Sequence, residues 1–409
     1  METVPRAQME RGAAPALRIR GADGGAFLTN RLAGAADRKL ALTMVAVSTV
    51  LFVACIPLAK TPLAQVWAFI PAYQSALVIC NLVTAALILG QARIARSAAL
   101  MALGAAYVFS ACLAVMHTLS FPGLFAPGGV LGGGPQTTAW LYMFWHAGFP
   151  LGVIGYGYLK GAPPLRQPGR ALASALVLAV AAAAASAWLA IAAEGALPAV
   201  MRGNNYTPAM IFVVLIVWLL SLCALFLVSW RTPYSVLQLW VMVVLCAWLF
   251  DVGLAAVFNG GRFDLGFYAG RIYGLAAASV VLFVLLMENM ALHARLARSL
   301  GRHDARLRIL AAIDQAIIAG QSADEIAGSV IQPLRELLDV PRAIVNRFDL
   351  DAGEVEWVAA AGRRRTHVGP GVRYSLALMG DVERLRLGEP QLIDVQALPS
   401  GPEAQALLA

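Results

Sequence analysis

Eight apolar segments of about 20 residues each dominate the sequence between Lys39 and Asn289. As an α-helix, each is long enough to cross a hydrocarbon layer of about 30 Å, because a helix rises about 1.5 Å per residue. Charged residues make up only 13% of the chain, about half of the usual share, which excludes a purely soluble fold. The sequence therefore predicts a polytopic α-helical membrane protein with eight transmembrane helices. The predicted spans are 40–59, 68–90, 96–118, 138–159, 171–193, 209–230, 236–258 and 271–290.

Basic residues predict the orientation of these spans, because cytoplasmic loops carry an excess of Lys and Arg. With the N-terminus inside, the inner segments hold 18 basic residues. The outer loops hold four, which are Lys60, Arg202, Arg262 and Arg271. This split predicts a multi-pass protein with both termini in the cytoplasm. Anchoring beside anionic lipid headgroups also accounts for the net charge of +8 without a nucleic-acid partner.

Few ionisable residues fall inside the predicted spans, where an unpartnered charge costs several kcal/mol. Asp251 in the seventh span and His146 in the fourth lie at similar depths below the outer ends, and His117 closes the third span near the same face. Gln74 and Tyr142 occupy the same outer half. We expect a polar cluster there that binds a small polar ligand or an ion, or that responds to pH. The same side chains could instead form a hydrogen-bond network that only fixes helix positions.

Glycines are concentrated in two places. The outer loop from His117 to Thr138 has no charge and six glycines, so it could either cover a cavity or lie passively on the bundle. Gly148 with Gly152, and Gly157 with Gly161, have the spacing that lets helices approach closely. The second feature predicts packing rather than chemistry.

Three stretches resemble a known family of membrane sensors. Phe69–Leu77, the loop His117–Gly134 and Gln136–Pro150 closely resemble the fourth type of the membrane-associated sensor (MASE) domains. The resemblance covers residues 40–290 and implies an integral membrane input module that precedes a histidine kinase or GGDEF output domain in the bacterial inner membrane. It implies no particular stimulus. The residues that match the motif and could sense are Gln74, His117, Tyr142, Trp145 and His146.

A charged helix is predicted to follow the last span, over residues 291–310. Leu292, Leu296, Leu300, His303, Leu307 and Leu310 recur at spacings of three and four residues, near the repeat of a two-stranded coiled coil. A homodimer formed through span 8 and this signalling helix would transmit motion to the next domain. The alternative is an amphipathic helix that lies on headgroups or on that domain.

Residues 311–409 predict a soluble α+β domain. A capping box from Ser322 to Glu325 opens an amphipathic helix, and 343–348 and 355–359 read as a hairpin around Asp351–Gly353. A third strand near 372–376, a helix and a strand at 391–395 are expected to follow. This order resembles a GAF domain, a small-ligand or dimerisation module. Because the strands are too few, we expect the domain to be incomplete and the chain to precede a downstream signalling domain. Residues 1–39 are expected to form a polar cytoplasmic tail.

No catalytic or metal-binding pattern is recognised in the sequence. No ATP lid, GGDEF loop, phosphate-binding glycine loop or metalloprotease motif occurs, and all five cysteines fall inside spans without metal spacing. A haem held by His117 and His146 is the only cofactor option left open. The expected function is a non-enzymatic sensor that relays a stimulus from the outer half of the bundle to the GAF-like domain. The alternative is a small-solute or ion transporter with a regulatory cytoplasmic domain.

Overall fold

The computed structural model describes residues 31–203, 205–230, 233–362 and 371–391. The chain divides into two compact units, Met1–Leu292 and His293–Ala409. Most of the predicted tail over 1–39 lies outside the described residues. The domain limits expected from the sequence stay predictions.

Long helices account for most of the described part of the first unit. Seven of them are long and apolar enough to cross a membrane, so the chain contains a helical integral membrane domain. Two short strands, β1 (Met201–Arg202) and β2 (Asn205–Tyr206), pair antiparallel before the sixth helix. The helices are α1 (Ala35–Cys55), α2 (Phe69–Ala95), α3 (Ala98–Ser120), α4 (Thr137–Leu159), α5 (Pro168–Ile191), α6 (Pro208–Trp230), α7 (Val236–Val252) and α8 (Leu265–Ile318).

The helix α4 coincides with the predicted fourth span but is not among the seven apolar helices. Its side chains include Trp140, Tyr142, Trp145 and His146, which lower its hydropathy. Most of these polar and aromatic side chains are buried inside the unit. By contrast, α1 exposes most of its apolar side chains, as expected for a helix that faces lipid. The composition of each helix therefore follows its place in the bundle.

The helices α3 and α4 pack against each other along their whole length. His117 near the end of α3 lies beside Tyr142 near the start of α4. The rings of Tyr107 and Phe149 meet at 5.1 Å in the middle. The two helices therefore run antiparallel. Further packed pairs are α2 with α3, α4 with α6, α3 with α5, α6 with α7 and α1 with α7.

Close approach of α3 and α4 depends on small residues, as predicted for Gly148 and Gly152. A Cβ added at Gly152 would lie 2.3 Å from the Cβ of Ala106. The predicted pairing of Gly157 with Gly161 on one helix is wrong, because α4 ends at Leu159 and Gly161 has a φ of 97°. A left-handed residue at that position lets the chain leave the helix.

α7 continues into a π-helical turn, Gly253–Phe258, and the chain reverses in the residues that follow it. π-turns are rare and shift the register of the side chains that follow. Asp264 then caps α8: its Oδ1 accepts from the backbone N–H of Phe267 at 2.8 Å, and its Oδ2 accepts from Gly260 at 2.7 Å. Because of this cap, α8 begins at Leu265, six residues before the predicted start of the eighth span at Arg271.

The second unit contains the end of α8, the helices α9 (Ala323–Leu338) and α10 (Val382–Arg386), and the strands β3 (Arg342–Asp349), β4 (Glu354–Gly362) and β5 (Arg373–Ser375). The capping box is confirmed: the Ser322 hydroxyl accepts from the Glu325 N–H at 3.3 Å, and Glu325 accepts from the Ser322 N–H at 2.8 Å. The backbone N–H of Ser322 and its hydroxyl both donate to the exposed Glu325 carboxylate and lower its pKa.

The three strands form an antiparallel sheet in the order β3-β4-β5, with a bulge between Val345 and Asn346. Along β4, alternate side chains are buried, and Ala327 and Ile331 of α9 pack against part of this face. The predicted capped helix, hairpin and third strand are thus confirmed as elements. The strand expected at 391–395 falls, beyond its first residue, outside the described residues, and the resemblance to a GAF domain stays a prediction.

Candidate functional site

Three side chains of the predicted polar cluster meet between α4 and α7. Tyr142 and His146 are four residues apart on α4, so they share one face of that helix. Asp251 lies one residue before the end of α7. The exposed fractions of the three residues are 5%, 0% and 3%, respectively. The bundle therefore encloses a phenol, an imidazole and a carboxyl group in direct contact.

Hydrogen bonds fix how many protons this trio holds. The Tyr142 hydroxyl donates to Oδ1 of Asp251 at 2.9 Å. Nδ1 of His146 lies 2.8 Å from the Tyr142 carbonyl oxygen, which can only accept, so Nδ1 carries a proton. Nε2 of His146 lies 3.1 Å from Oδ2 of Asp251, and this hydrogen bond requires one further proton between the two atoms. The pair is either imidazolium with carboxylate or imidazole with carboxylic acid, and it is neutral in both forms.

Gln74 and His117 form a second buried pair, between α2 and α3. Nε2 of Gln74 lies 2.8 Å from Nδ1 of His117, and Oε1 of Gln74 accepts a hydrogen bond from the Thr118 hydroxyl. This amide orientation makes Nδ1 of His117 the acceptor and leaves the ring proton on Nε2. The ring centroids of His117 and Tyr142 are 6.3 Å apart. The two pairs are therefore neighbours, and we call Gln74, His117, Tyr142, His146 and Asp251 the outer cluster.

Trp145 supports the outer cluster as an aromatic wall. Its ring lies 4.8 Å from that of His146 and 6.2 Å from that of Tyr142. On the other side of His146, the ring of Trp248 lies 4.7 Å away, and the indole N–H of Trp248 donates to the His146 carbonyl oxygen at 3.1 Å. Sequence reasoning missed Trp248, although its position three residues before Asp251 places it on the same side of α7. All six predicted site residues lie together, and their role in sensing stays a prediction.

The histidines are not arranged to share a haem. Both ring nitrogens of His146 already have partners, Tyr142 and Asp251. Nδ1 of His117 is occupied by Gln74. Within the described ranges, no group of three or more His, Cys, Asp or Glu side chains is placed to hold a metal ion.

Arg271 is a buried residue that the sequence assigned to an outer loop. It was counted with the outer loops, but it lies in the second turn of α8 and only 6% of it is exposed. Its guanidinium carbon lies 3.6 Å from the Phe267 ring centroid and 5.2 Å from that of Tyr142. Nη1 donates to the Phe267 carbonyl oxygen at 2.9 Å, and Nε has no hydrogen-bond partner among the described atoms. The helix-capping Asp264 was the sequence signal that could have placed it.

A second arginine lies on the same side of the bundle. Arg262 donates from Nη2 to the Thr138 hydroxyl at 2.7 Å, and its guanidinium carbon is 5.3 Å from the Phe121 ring centroid. Tyr206 donates to the Ala255 carbonyl oxygen in the π-turn at 2.8 Å. These contacts tie the outer loops to the end of α7, next to the outer cluster.

His117 and Tyr142 of the outer cluster line a cavity of about 30 Å³ together with the two arginines. Its size is enough for about two water molecules. None of the side chains around it is acidic. The cavity is lined by His117, Phe121, Thr138, Ala139, Tyr142, Met201, Tyr206, Met210, Ala255, Arg262, Phe267 and Arg271.

The glycine-rich loop is held by specific hydrogen bonds at its end. The Glu194 carboxylate accepts from the backbone N–H groups of Gly134 at 2.6 Å and Gln136 at 2.9 Å. Oε1 of Gln136 accepts in turn from the N–H groups of Val200 and Met201, at 2.8 and 2.7 Å. These hydrogen bonds fasten the loop to the segment after α5, next to the start of α4. They are compatible with both expected roles of the loop, which are covering a cavity and lying passively on the bundle.

Comparison with known proteins identifies the membrane unit. No curated protein and no solved structure matches the chain. The family model MASE4, described as a membrane-associated sensor and integral membrane domain, matches residues 64–293. This segment covers more than half of the 409 residues. It also contains the whole outer cluster, Trp145 and both arginines. The chain therefore belongs to the MASE4 family of membrane-associated sensors.

Proposed function

We propose that the chain is the sensory input module of a bacterial inner-membrane receptor, of the histidine kinase or diguanylate cyclase type. In this proposal a stimulus acts on the outer cluster and its cavity. The response passes down α8 to a cytoplasmic GAF-like domain, and from there to a downstream signalling domain. The described residues carry no catalysis in this scheme. Membership of a sensor family supports the first part, and the contacts of α8 support the relay.

Contact between Asp251 and α8 is the observation that carries the proposal. Gly270 and Gly274, one turn apart on α8, let this helix approach the end of α7. A Cβ added at Gly274 would lie 2.7 Å from Oδ2 of Asp251, and one added at Gly270 would lie 2.7 Å from its carbonyl oxygen. The carboxylate that shares a proton with His146 therefore packs directly against α8. If Asp251 changes its protonation or its position, at least one of three things must change with it: the proton shared with His146, the hydrogen bond to Tyr142, or the position of α8.

A continuous helix supports transmission over a long distance. α8 runs without interruption for 54 residues, from Leu265 to Ile318. Leu296, Leu300, Leu307 and Leu310 are each more than half exposed on it. An exposed apolar stripe at these spacings fits the seam of a parallel two-stranded coiled coil. We infer that two copies of the chain pair through this stripe and that motion of α8 changes the pairing.

The proposed direction of signalling requires that α4 also crosses the membrane, which gives eight spans. The antiparallel packing of α4 along the full length of α3 supports this inference, because α3 is apolar and long enough to span. The buried position of α4 also explains why it tolerates polar side chains.

Eight crossings put both ends of the chain on the same side of the membrane, and the excess of Lys and Arg in the inner segments predicts that this side is the cytoplasm. Fusion reporters test this topology. We expect a green fluorescent protein fused after Ala409 to fluoresce in bacterial cells and an alkaline phosphatase at the same point to be inactive, because that enzyme needs the periplasm. A phosphatase inserted at Gly195, between α5 and α6, serves as the control and should be active. An active phosphatase after Ala409 would contradict the eight-span topology and the proposed relay.

Disulfide cross-linking of the full chain tests the relay. With the five native cysteines replaced by serine or alanine, we expect Leu300→Cys to cross-link several-fold faster in membranes than Arg298→Cys, which lies off the stripe. In the Leu300→Cys background, Asp251→Asn should change the cross-linking rate at least twofold, because it removes the shared proton next to α8.

The matched control for this test is Ser186→Ala, which removes a hydroxyl bonded within α5 only and should leave the rate unchanged. Equal rates at positions 298 and 300 would refute the pairing, and an unchanged rate in Asp251→Asn would refute the relay. Solute uptake into proteoliposomes that requires Asp251 would favour a transporter instead.

A further inference from the structure

The cavity beside the outer cluster is rich in hydrogen-bond donors and poor in negative charge. Arg262 and Arg271 both line it, and no carboxylate does. No ion pair joins either arginine to a carboxylate among the described residues. A guanidinium buried in a helical membrane domain is costly unless something compensates its charge.

Neither nearby carboxylate supplies this compensation directly. Asp251 already binds Tyr142 and His146, and the pair with His146 is neutral because it shares one proton. Asp264 accepts from the backbone N–H groups of Gly260, Gly261 and Phe267 as the cap of α8. With His117 neutral, Arg262, Arg271 and Asp264 leave one uncompensated positive charge around the cavity.

Arg271 also has a buried donor without a well-formed hydrogen bond. Its Nε has no hydrogen-bond partner among the described atoms. The Tyr73 hydroxyl lies near the side chains of Arg271 and Gln74, without a hydrogen bond of normal geometry to either. Buried polar atoms are nearly always satisfied in folded proteins, by protein, water or a ligand. Here the missing partner would need acceptor atoms and, because of the excess charge, one negative charge.

We propose that the cavity binds a small monovalent carboxylate of one or two carbons, such as formate or acetate, with Arg271 and Arg262 as its principal ligands. A guanidinium binds a planar two-oxygen anion through paired N–H donors, which favours a carboxylate over a spherical halide. The volume of about 30 Å³ limits the ligand to a few heavy atoms. Tyr206 and His117 also line the cavity.

This inference names the ligand class of the site in the proposed function, and it rests on that function only for its effect on signalling. Binding itself is measured separately, on the full chain in nanodiscs at constant ionic strength, with gluconate as the balancing anion because it is too large for the cavity. We expect formate and acetate to raise the thermal unfolding midpoint in a saturable manner and gluconate not to do so.

Charge-removing variants identify the site. Arg271→Gln and Arg262→Gln should each weaken formate and acetate binding at least tenfold. Arg202→Gln, which removes an exposed arginine of the outer face, should bind as the unmodified chain does. If Arg271→Gln does not fold, Arg262→Gln and Thr138→Val provide the same test, since Thr138 positions Arg262.

Three results would overturn the proposal. The first is no saturable response to any small anion, which means that the cavity holds water only. The others are equal binding by both glutamine variants and the unmodified chain, and tighter binding of chloride than of either carboxylate. If the carboxylates bind but the cross-linking rate of Leu300→Cys does not respond to them, the binding site stands and the relay fails. If neither carboxylate binds but Asp251→Asn still changes the cross-linking rate, the relay stands and the proposed binding site fails.

Discussion

Replacing Asp251 by alanine is expected to destabilise the membrane domain by roughly 3 kcal/mol. Removing one partner of a buried pair costs about 3 to 5 kcal/mol in proteins generally. Hydrogen bonds inside membrane proteins contribute less, on average below about 1 kcal/mol, which favours the low end of that range. Without the carboxylate, both the Tyr142 hydroxyl and Nε2 of His146 lose their partner. Unfolding in mixed micelles of increasing SDS content, followed by tryptophan fluorescence, measures the change.

The conservative variant Asp251→Asn separates stability from proton sharing. Its amide oxygen can accept from Tyr142, and its NH₂ group can donate to the unprotonated Nε2 of His146, so every hydrogen bond is retained without the shared proton. We expect a loss of no more than about 1 kcal/mol. Asp304→Ala is the control, because that carboxylate is exposed and its pair with Arg308 is a surface ion pair worth less than about 1 kcal/mol. Equal stability of Asp251→Ala and Asp304→Ala would contradict the description of the cluster.

Gly152→Ala is expected to destabilise the packing of α3 on α4 by about 1 to 3 kcal/mol, the usual cost of overfilling a packed core. The added methyl group would lie 2.3 Å from the Cβ of Ala106, which is attached directly to the backbone of α3 and cannot rotate away. The helices would therefore have to separate. The same SDS titration measures the effect.

Gly155→Ala, three residues further along the same helix, is the matched control. Its added methyl group would lie 3.6 Å from the Cβ of Ala102, an ordinary contact. Because alanine favours helix over glycine by about 1 kcal/mol, this variant should be neutral or slightly stabilising. If both variants unfold at the same SDS content, the close approach of α3 and α4 is not what stabilises this part of the bundle.

Much of the outer cluster could be predicted from the sequence. The sequence shows which polar residues are costly to bury in a span and how deep each lies below the end of that span. A polar residue within an apolar span must find a partner, and a helix rises by a fixed distance per residue. These two facts placed Asp251 and His146 at the same level without any structure. The pairing of Gln74 with His117 could not be read in this way, because it depends on which faces of α2 and α3 meet.

Arg271 shows where such reasoning failed. An arginine at the edge of an apolar segment normally marks the end of a span, because its charge is cheapest there. Its burial depends on the cap that Asp264 forms and on the rings of Phe267 and Tyr142, which come together only in the folded bundle. The resulting excess of positive charge around the cavity is a property of the arrangement of the helices and not of any one segment.

The sequence by itself determined that the chain enters the membrane as long helices and that a few polar residues lie at one depth, because hydrophobicity and helix length are local properties. It also determined the capped helix and the hairpin of the second unit, whose signals lie within a few residues of each other. Only the tertiary structure decided which polar groups share protons, which arginine is buried and which helix packs against Asp251. Those relations depend on the rotation of each helix about its axis, which is set by side-chain packing between segments far apart in the chain.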